Sequence, residues 1–83
     1  MRTQFIVSES DKSKRRKFYD YIMNKYNYEV IHHSREHMIN SKFPFVVDHK
    51  NKVFWVCESI ICCAAAAQNR VIITIDDFKK ISE

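Results

Sequence analysis

The stretch from Val46 to Cys57 constrains the fold most, because it predicts two buried strands joined by a short turn. In the second strand, Val53–Cys57, an apolar side chain occupies every position. Side chains of a strand alternate between the two faces of a sheet, so this strand is apolar on both faces. We therefore expect a central strand with a layer packed on each side, and a polar hairpin loop at Asp48–Lys52.

The rest of the chain predicts further strands and helices around this hairpin. Hydrophobic periodicity predicts a main helix over Asp11–Tyr26, whose all-polar first half projects into solvent. Ser59 is expected to cap a short helix over Ile60–Gln68, and a continuation of the preceding strand through Ile60 and Ile61 is the alternative. Thr74 and Asp77 are expected to cap a terminal helical turn. The segment 33–42 is expected to be a polar connection, with a helical turn as the alternative. The remaining predicted strands are Thr3–Val7, Tyr28–His32 and Val71–Ile73.

Together these elements predict one α+β domain over residues 1–83. Its fold is a small, mostly antiparallel sheet of about 4–5 strands with one main helix on one face and short C-terminal helical segments. The other face is expected to be covered only by the alanine-rich helix and the terminal turn. Hydrophobic surface left over on a small domain marks an interface. Four aromatic residues are candidates either for anchors of that interface or for the core: Trp55, Phe54, Tyr28 and Phe45.

Composition excludes several classes of protein. The chain contains no glycine, which excludes glycine-cradled phosphate sites and leaves the turns to Asn, Asp, Ser, Lys and His. No signal peptide opens the sequence, and no apolar run is long enough to span a membrane. The odd number of cysteines, at Cys57, Cys62 and Cys63, predicts free thiols in a reduced, cytoplasmic protein.

A basic cluster is the strongest candidate for a binding surface. The net charge is +4, and five positive side chains fall together at Lys12, Lys14, Arg15, Arg16 and Lys17. Such a cluster predicts contact with phosphates or with an acidic protein. We assign partner or nucleic-acid binding to these five residues together with Tyr19, which would stack on bases if exposed, and Trp55. The alternative interpretation is a solvated helix end that keeps the protein soluble.

Metal and covalent chemistry are weakly indicated. His32, His33 and His37, together with the three cysteines, supply atoms that suit zinc, and on a helix His33 and His37 would share a face at i, i+4. Because the ligand spacing of structural zinc sites is absent, we expect solvent-facing histidines and buried thiols. Cys57 or Cys62 as a nucleophile lacks an activating neighbour in the sequence. We therefore predict no enzyme, no catalytic residue, no metal and no cofactor.

The order of the elements resembles small α+β accessory proteins encoded by bacteriophages, of the host-takeover or anti-defence type. The segments that carry the resemblance are Phe5-Ile6-Val7, Ser8–Asp11, Tyr26-Asn27-Tyr28, Val53-Phe54-Trp55 and Ile73-Thr74-Ile75-Asp76-Asp77-Phe78. The last segment follows an I-T-[LI]-[DE]-[DE]-F pattern. The chain departs from this type at the hairpin turn, which ordinarily carries a glycine, and in its alanine run. The resemblance implies a protein that binds and inhibits a host enzyme or defence component, and it assigns no functional residues.

The leading interpretation is therefore a non-enzymatic binding protein. It would inhibit or modulate a host protein or a protein–RNA defence complex, such as a toxin or nuclease. The basic helix start would steer the encounter, and exposed aromatic side chains would supply affinity. The alternative is a small basic nucleic-acid-binding protein that uses the Lys12–Lys17 helix start. A homodimer is compatible with both interpretations, and no membrane partner is expected.

Overall fold

The computed structural model describes residues 3–82, which form five strands and four helices. The strands are β1 (Gln4–Val7), β2 (Glu29–Val30), β3 (Phe45–Asp48), β4 (Val53–Val56) and β5 (Val71–Ile73). The helices are α1 (Lys12–Tyr26), α2 (Arg35–Asn40), α3 (Ile60–Ala67) and α4 (Ile75–Ser82). The α+β class predicted from the sequence is confirmed. None of these helices is long and apolar enough to cross a membrane.

The sheet has the strand order β2-β4-β3-β1-β5. At its centre β3 pairs antiparallel with both β1 and β4, and its pairing with β4 is the predicted hairpin. The outer strands add parallel pairs, β5 on β1 and β2 on β4, so the sheet is mixed. α1 connects β1 to β2, and α3 connects β4 to β5, each returning the chain in its original direction, so both outer strands run parallel to their neighbours. β4 lies between β2 and β3, so it is an interior strand of the sheet, as its two apolar faces predict.

Local side-chain bonds set the helix ends, which compensates for the missing glycines. The Asp11 carboxylate accepts a hydrogen bond from the Lys14 amide at 3.0 Å and so caps α1. Asn27 ends the same helix in the left-handed region at φ 56°, which asparagine tolerates better than most residues. Thr74 and Asp77 cap α4 reciprocally, each side chain accepting from the other backbone amide at 3.1 and 3.3 Å. The predicted cap at Thr74 and Asp77 is therefore confirmed.

The main core lies on the sheet face that carries α1, α2 and α4. It contains these buried side chains: Phe5, Val7, Phe18, Tyr19, Ile22, Tyr28, Met38, Ile39, Phe45, Val47, Phe54, Val56 and Phe78. Three of the four aromatic candidates for a surface anchor, Tyr28, Phe45 and Phe54, are therefore core residues. The expectation that the terminal helix covers the opposite face is wrong. Phe78 in that helix packs edge-on against Phe18 of α1 at 5.4 Å, between the centroids of the rings.

The segment 33–42 also contributes more than the predicted polar connection. It folds as α2, with the Ser34 hydroxyl accepting from the His37 amide at 3.1 Å as its N-cap. Met38 and Ile39 are 0% and 3% exposed and enter the main core. A six-residue helix with two adjacent apolar positions has too weak a periodic signal to be distinguished from a loop by sequence.

The opposite sheet face has a thinner cover. Its buried centre is small, formed by Ile6, Val46 and Cys57. Half-buried side chains of α3 pack on it, namely Cys63, Ala66 and Ala67, while none of the residues of α3 is fully buried. The prediction that the alanine-rich helix is a thin cover is borne out by this packing.

Candidate functional site

Four of the five residues of the predicted basic cluster are exposed, and one is buried. Lys12, Lys14, Arg16 and Lys17 are exposed along the first turns of α1. Arg15 is 0% exposed, so the expectation that the whole first half of the helix projects into solvent is wrong. The reason is helical spacing: Arg15 stands three and seven residues before Phe18 and Ile22, on the stripe that faces the core. This spacing is the sequence signal that indicates burial of Arg15.

The buried guanidinium of Arg15 binds backbone oxygens from several segments. The acceptors are the carbonyl groups of Glu9, Met38, Ile39 and Phe43, at 2.7–3.2 Å from Nε or Nη1. Its carbon Cζ lies 4.0 Å from the centre of the Phe45 ring. Burial lowers the pKa of Arg15 to about 10, and nearby Glu9 opposes that shift, so the group stays charged at neutral pH. Arg15 therefore holds the fold and is not available to a partner.

The two aromatic candidates fall on opposite sides of the sheet. Tyr19 is 8% exposed and packs against Phe54, with 5.5 Å between ring centroids, so the predicted stacking on bases is excluded for it. Trp55 is half-buried on the α3 side. Its ring meets the His32 ring edge-on at 6.4 Å, and the guanidinium carbon of Arg70 lies 5.7 Å from its centroid. Trp55 alone of these two retains access to solvent.

A shallow cleft of ≈ 350 Å³ lies beside Trp55, and histidine, cysteine and glutamate side chains line it. Its lining includes His32, His33, Trp55, Cys57, Glu58 and Cys62. The thiols differ in access, because Cys57 is buried and Cys62 is exposed. The expectation of buried thiols is therefore wrong for Cys62, which lies on the outer side of α3. Burial and a hydrogen bond with Cys63 raise the pKa of Cys57 to about 12, which keeps that thiol protonated and unreactive.

At one side of this cleft, three side chains converge. Nδ1 of His33 lies 3.5 Å from Oε1 of Glu58, and the His33 and His37 rings stack with 4.5 Å between centroids. One potential ligand atom from each residue lies within 4.8 Å of the others. The expectation of solvent-facing histidines is wrong for His33, whose side chain is 6% exposed. Glu58 was not among the predicted site residues, since only the β4–α3 turn brings it near His37 and His33, which lie 21 and 25 positions earlier.

The outer side of α3 carries two of the four exposed large hydrophobic side chains found among residues 3–82. Ile60 and Ile61 are each 81% exposed, at the start of a helix that contains no charged residue. Beside it on the sheet, Ile72 of β5 is 62% exposed. Ile72 pairs with Ile6, whose side chain packs under α3, and register partners of neighbouring strands point to one face. We call Ile60, Ile61 and the exposed residues Cys62, Ala64 and Ala65 the α3 surface.

The arrangement thus offers an apolar helix surface, a cleft beside it and a separate basic helix start. In comparisons with known proteins, the chain matches no family model, no curated protein and no solved structure.

Proposed function

We propose that this chain is a non-enzymatic binding protein that docks another protein on its α3 surface. The single observation that carries the proposal is the 81% exposure of both Ile60 and Ile61 on an uncharged helix. Burying an isoleucine side chain contributes about 1.5–3 kcal/mol. Exposed ion pairs contribute about 0–1 kcal/mol each. Burial of the two isoleucines would therefore contribute more binding free energy than ion pairs made by the lysines of α1 at the rim of an interface.

The surroundings of the α3 surface fit the usual anatomy of an interface. The apolar helix is flanked by Glu58 at its start and by Arg70 just past its end. Trp55 stands half-buried in the adjoining cleft, and tryptophan is enriched among residues that dominate binding energy. An apolar centre with charged residues at its rim is the pattern of protein–protein interfaces.

The biological setting of the proposal comes from the resemblance to phage accessory proteins. We propose a host protein as partner, such as an enzyme or a defence component, with or without bound RNA. The proposed location is the cytoplasm of an infected cell, where the free thiols of Cys57, Cys62 and Cys63 stay reduced. The protein would act by occupying a surface of its partner, and no chemical step is required of it.

A second candidate is nucleic-acid binding through the start of α1. The observation in its favour is the exposure of Lys12, Lys14, Arg16 and Lys17. Against it, the depression that Lys14 and Lys17 line with Lys79 is also lined by Glu9 and Asp76. Those carboxylates reduce the positive potential that phosphates require. With Arg15 and Tyr19 buried, this candidate is weaker than the sequence suggests.

One capture experiment separates the two candidates. The wild type is immobilised beside a variant with Ile60→Gln and Ile61→Gln, and beside one with Lys14→Glu, Arg16→Glu and Lys17→Glu. All five positions are exposed, so both variants should fold. Each is exposed to lysate of a bacterial host, with and without nuclease, and the retained material is identified by mass spectrometry.

We expect one protein species on the wild type and on the charge variant, lost from the glutamine variant and insensitive to nuclease. Capture that nuclease or charge reversal abolishes would contradict the proposal and favour nucleic acid. Equal capture by all three proteins would also contradict it, because the α3 surface would then have no part in binding.

A further inference from the structure

We propose that His33, His37 and Glu58 form a binding site for one divalent transition-metal ion, zinc being the ion that their donor atoms suit best. This inference is independent of docking on the α3 surface. Two imidazole nitrogens and a carboxylate are a ligand set that proteins use for zinc, with one coordination position left for water or another ligand. The same set with further open positions binds other first-row metals.

The hydrogen bonding of His33 prepares it as a ligand. Its Nε2 lies 3.2 Å from the backbone oxygen of Val56. A carbonyl oxygen only accepts, so Nε2 carries the hydrogen and donates it in this contact. Histidines that bind metals commonly donate their second ring N–H to a carbonyl or carboxylate, which fixes the ring and leaves the other nitrogen free. In His33 that free nitrogen is Nδ1, and its side chain is 6% exposed.

The Glu58 carboxylate faces the free nitrogen of His33. With Nε2 as the donor to Val56, Nδ1 offers a lone pair 3.5 Å from Oε1 of Glu58, so two acceptor atoms lie side by side. A metal ion held by both atoms would remove the repulsion between them. The His37 ring stacks on the His33 ring with 4.5 Å between centroids, and it brings a second imidazole to the same point.

The spacing of the donors is close to what a metal requires. Zinc–nitrogen bonds of ~2.0–2.1 Å place the donors of a tetrahedral site about 3.3 Å apart. The three donor atoms lie within 4.8 Å of one another. Because His37 and Glu58 are exposed, their side chains are free to make up the difference. The site lies where two depressions meet, since Glu58 lines both, His33 lines one and His37 the other.

The chain supplies matched controls for the test. His32 stands next to His33 and lines the cleft, and Cys62 lines it too, yet neither belongs to the cluster. His32→Asn suits its backbone, which lies in the left-handed region at φ 73°. The test variants are His37→Ala and Glu58→Gln, which alter exposed side chains and should not disturb folding. A His33→Ala variant would also remove a buried side chain and is therefore not needed.

The experiment uses the full chain, freed of metal with a chelator and reduced. Zn²⁺ is titrated by calorimetry, and Co²⁺ is titrated by visible absorption, which reports nitrogen and oxygen coordination directly. The melting temperature is recorded with and without Zn²⁺, because an ion that binds only the folded state stabilises it. We expect one ion per wild-type chain and a rise in melting temperature.

We expect His37→Ala and Glu58→Gln each to weaken the affinity by at least about tenfold, the effect that even outer-shell partners of metal sites have. His32→Asn and Cys62→Ser should bind as the wild type does. The proposal is overturned if the wild type binds no Zn²⁺, or if His37→Ala and Glu58→Gln leave the affinity unchanged. It is equally overturned if Cys62→Ser abolishes binding while those two variants retain it, because the ion would then sit on thiols.

Discussion

The hydroxyl of Tyr28 lies 2.6 Å from Nδ1 of His49. This contact joins the strand entry after α1 to the β3–β4 hairpin. Lys52 adds an ammonium group 3.2 Å from Nε2 of the same ring, and the ring of Phe78 packs against it edge-on. Burial and the charge of Asp48 raise the pKa of Tyr28, so its hydroxyl is neutral at every physiological pH. The imidazole is therefore enclosed by groups that do not favour a second proton on it.

We expect this arrangement to make stability fall in mild acid. Burial and the Lys52 ammonium lower the pKa of His49, and the Asp48 carboxylate only partly opposes them. The unfolded chain then takes up a proton at His49 at a higher pH than the folded chain. Stability from this group is complete above the unfolded value of about 6.5 and is lost as the pH falls through the lower folded value.

The measurement is the free energy of unfolding in urea at several values between about pH 7.5 and 5.5, where few carboxylates titrate. His49→Gln should flatten the pH dependence of the wild type, whatever it does to absolute stability. An unchanged slope in that variant would show that the pKa of His49 is the same in both states.

Arg15→Lys should destabilise the protein by about 2–4 kcal/mol. Lysine keeps the charge but lacks the planar fork of donors, so it leaves some of the four carbonyl groups, two of them in buried contacts, without a hydrogen bond. The control is Arg16→Lys, one position along on the exposed side, where we expect a change within ~0.5 kcal/mol. Chemical denaturation measures the free energy of unfolding of both variants. An equal loss of stability in the two would refute a structural role for Arg15.

Phe54 and Trp55 are adjacent on β4 and point to opposite faces, which allows a direct comparison of the two layers. Phe54 is 0% exposed in the main core, and Phe54→Ala should lower stability by about 3–5 kcal/mol. Trp55 is half-buried, so Trp55→Ala should cost less, about 1–2 kcal/mol. Thermal or urea denaturation gives both values, and the reverse order would mean that the α3 side holds the principal core.

The cysteines should react with alkylating reagents in a fixed order. Cys62 is exposed and should be modified first, whereas Cys57 should react only as fast as the protein opens, because burial raises its pKa to about 12. Peptide mapping by mass spectrometry after timed exposure to iodoacetamide follows each site. Adding urea should abolish the difference, and early labelling of Cys57 in the folded protein would contradict its buried position.

Local features of this fold were predictable because local chemistry decides them. Ser59 and Thr74 cap the helices they were expected to cap, since each needs only an amide a few residues away. The two-sided apolar pattern of β4 indicated a central strand for a similar reason. The strand order was not predictable, because β1 pairs with β3 and β5, which lie far along the chain, and no sequence pattern identifies them as its partners.

The misassigned site residues share one physical cause. A charged residue type suggests solvent, yet Arg15 is buried because four carbonyl groups converge on it from 6 to 28 residues away. His33 and Glu58 are likewise brought together by the turn of the chain between β4 and α3. Partners distant in sequence leave no periodic signal. Only the position of Arg15 on the apolar stripe of α1, in line with Phe18, offered a local sign.

Small domains often depend on a covalent cross-link such as a disulfide. Here the guanidinium of Arg15 links three parts of the chain by hydrogen bonds: the segment before α1, the end of α2 and the entry to β3. A disulfide also restrains the unfolded chain, whereas this hydrogen-bond network exists only in the folded state. The network should therefore be insensitive to reductants and oxidants. The exposed thiol of Cys62 should then be able to change its redox state without loosening the fold.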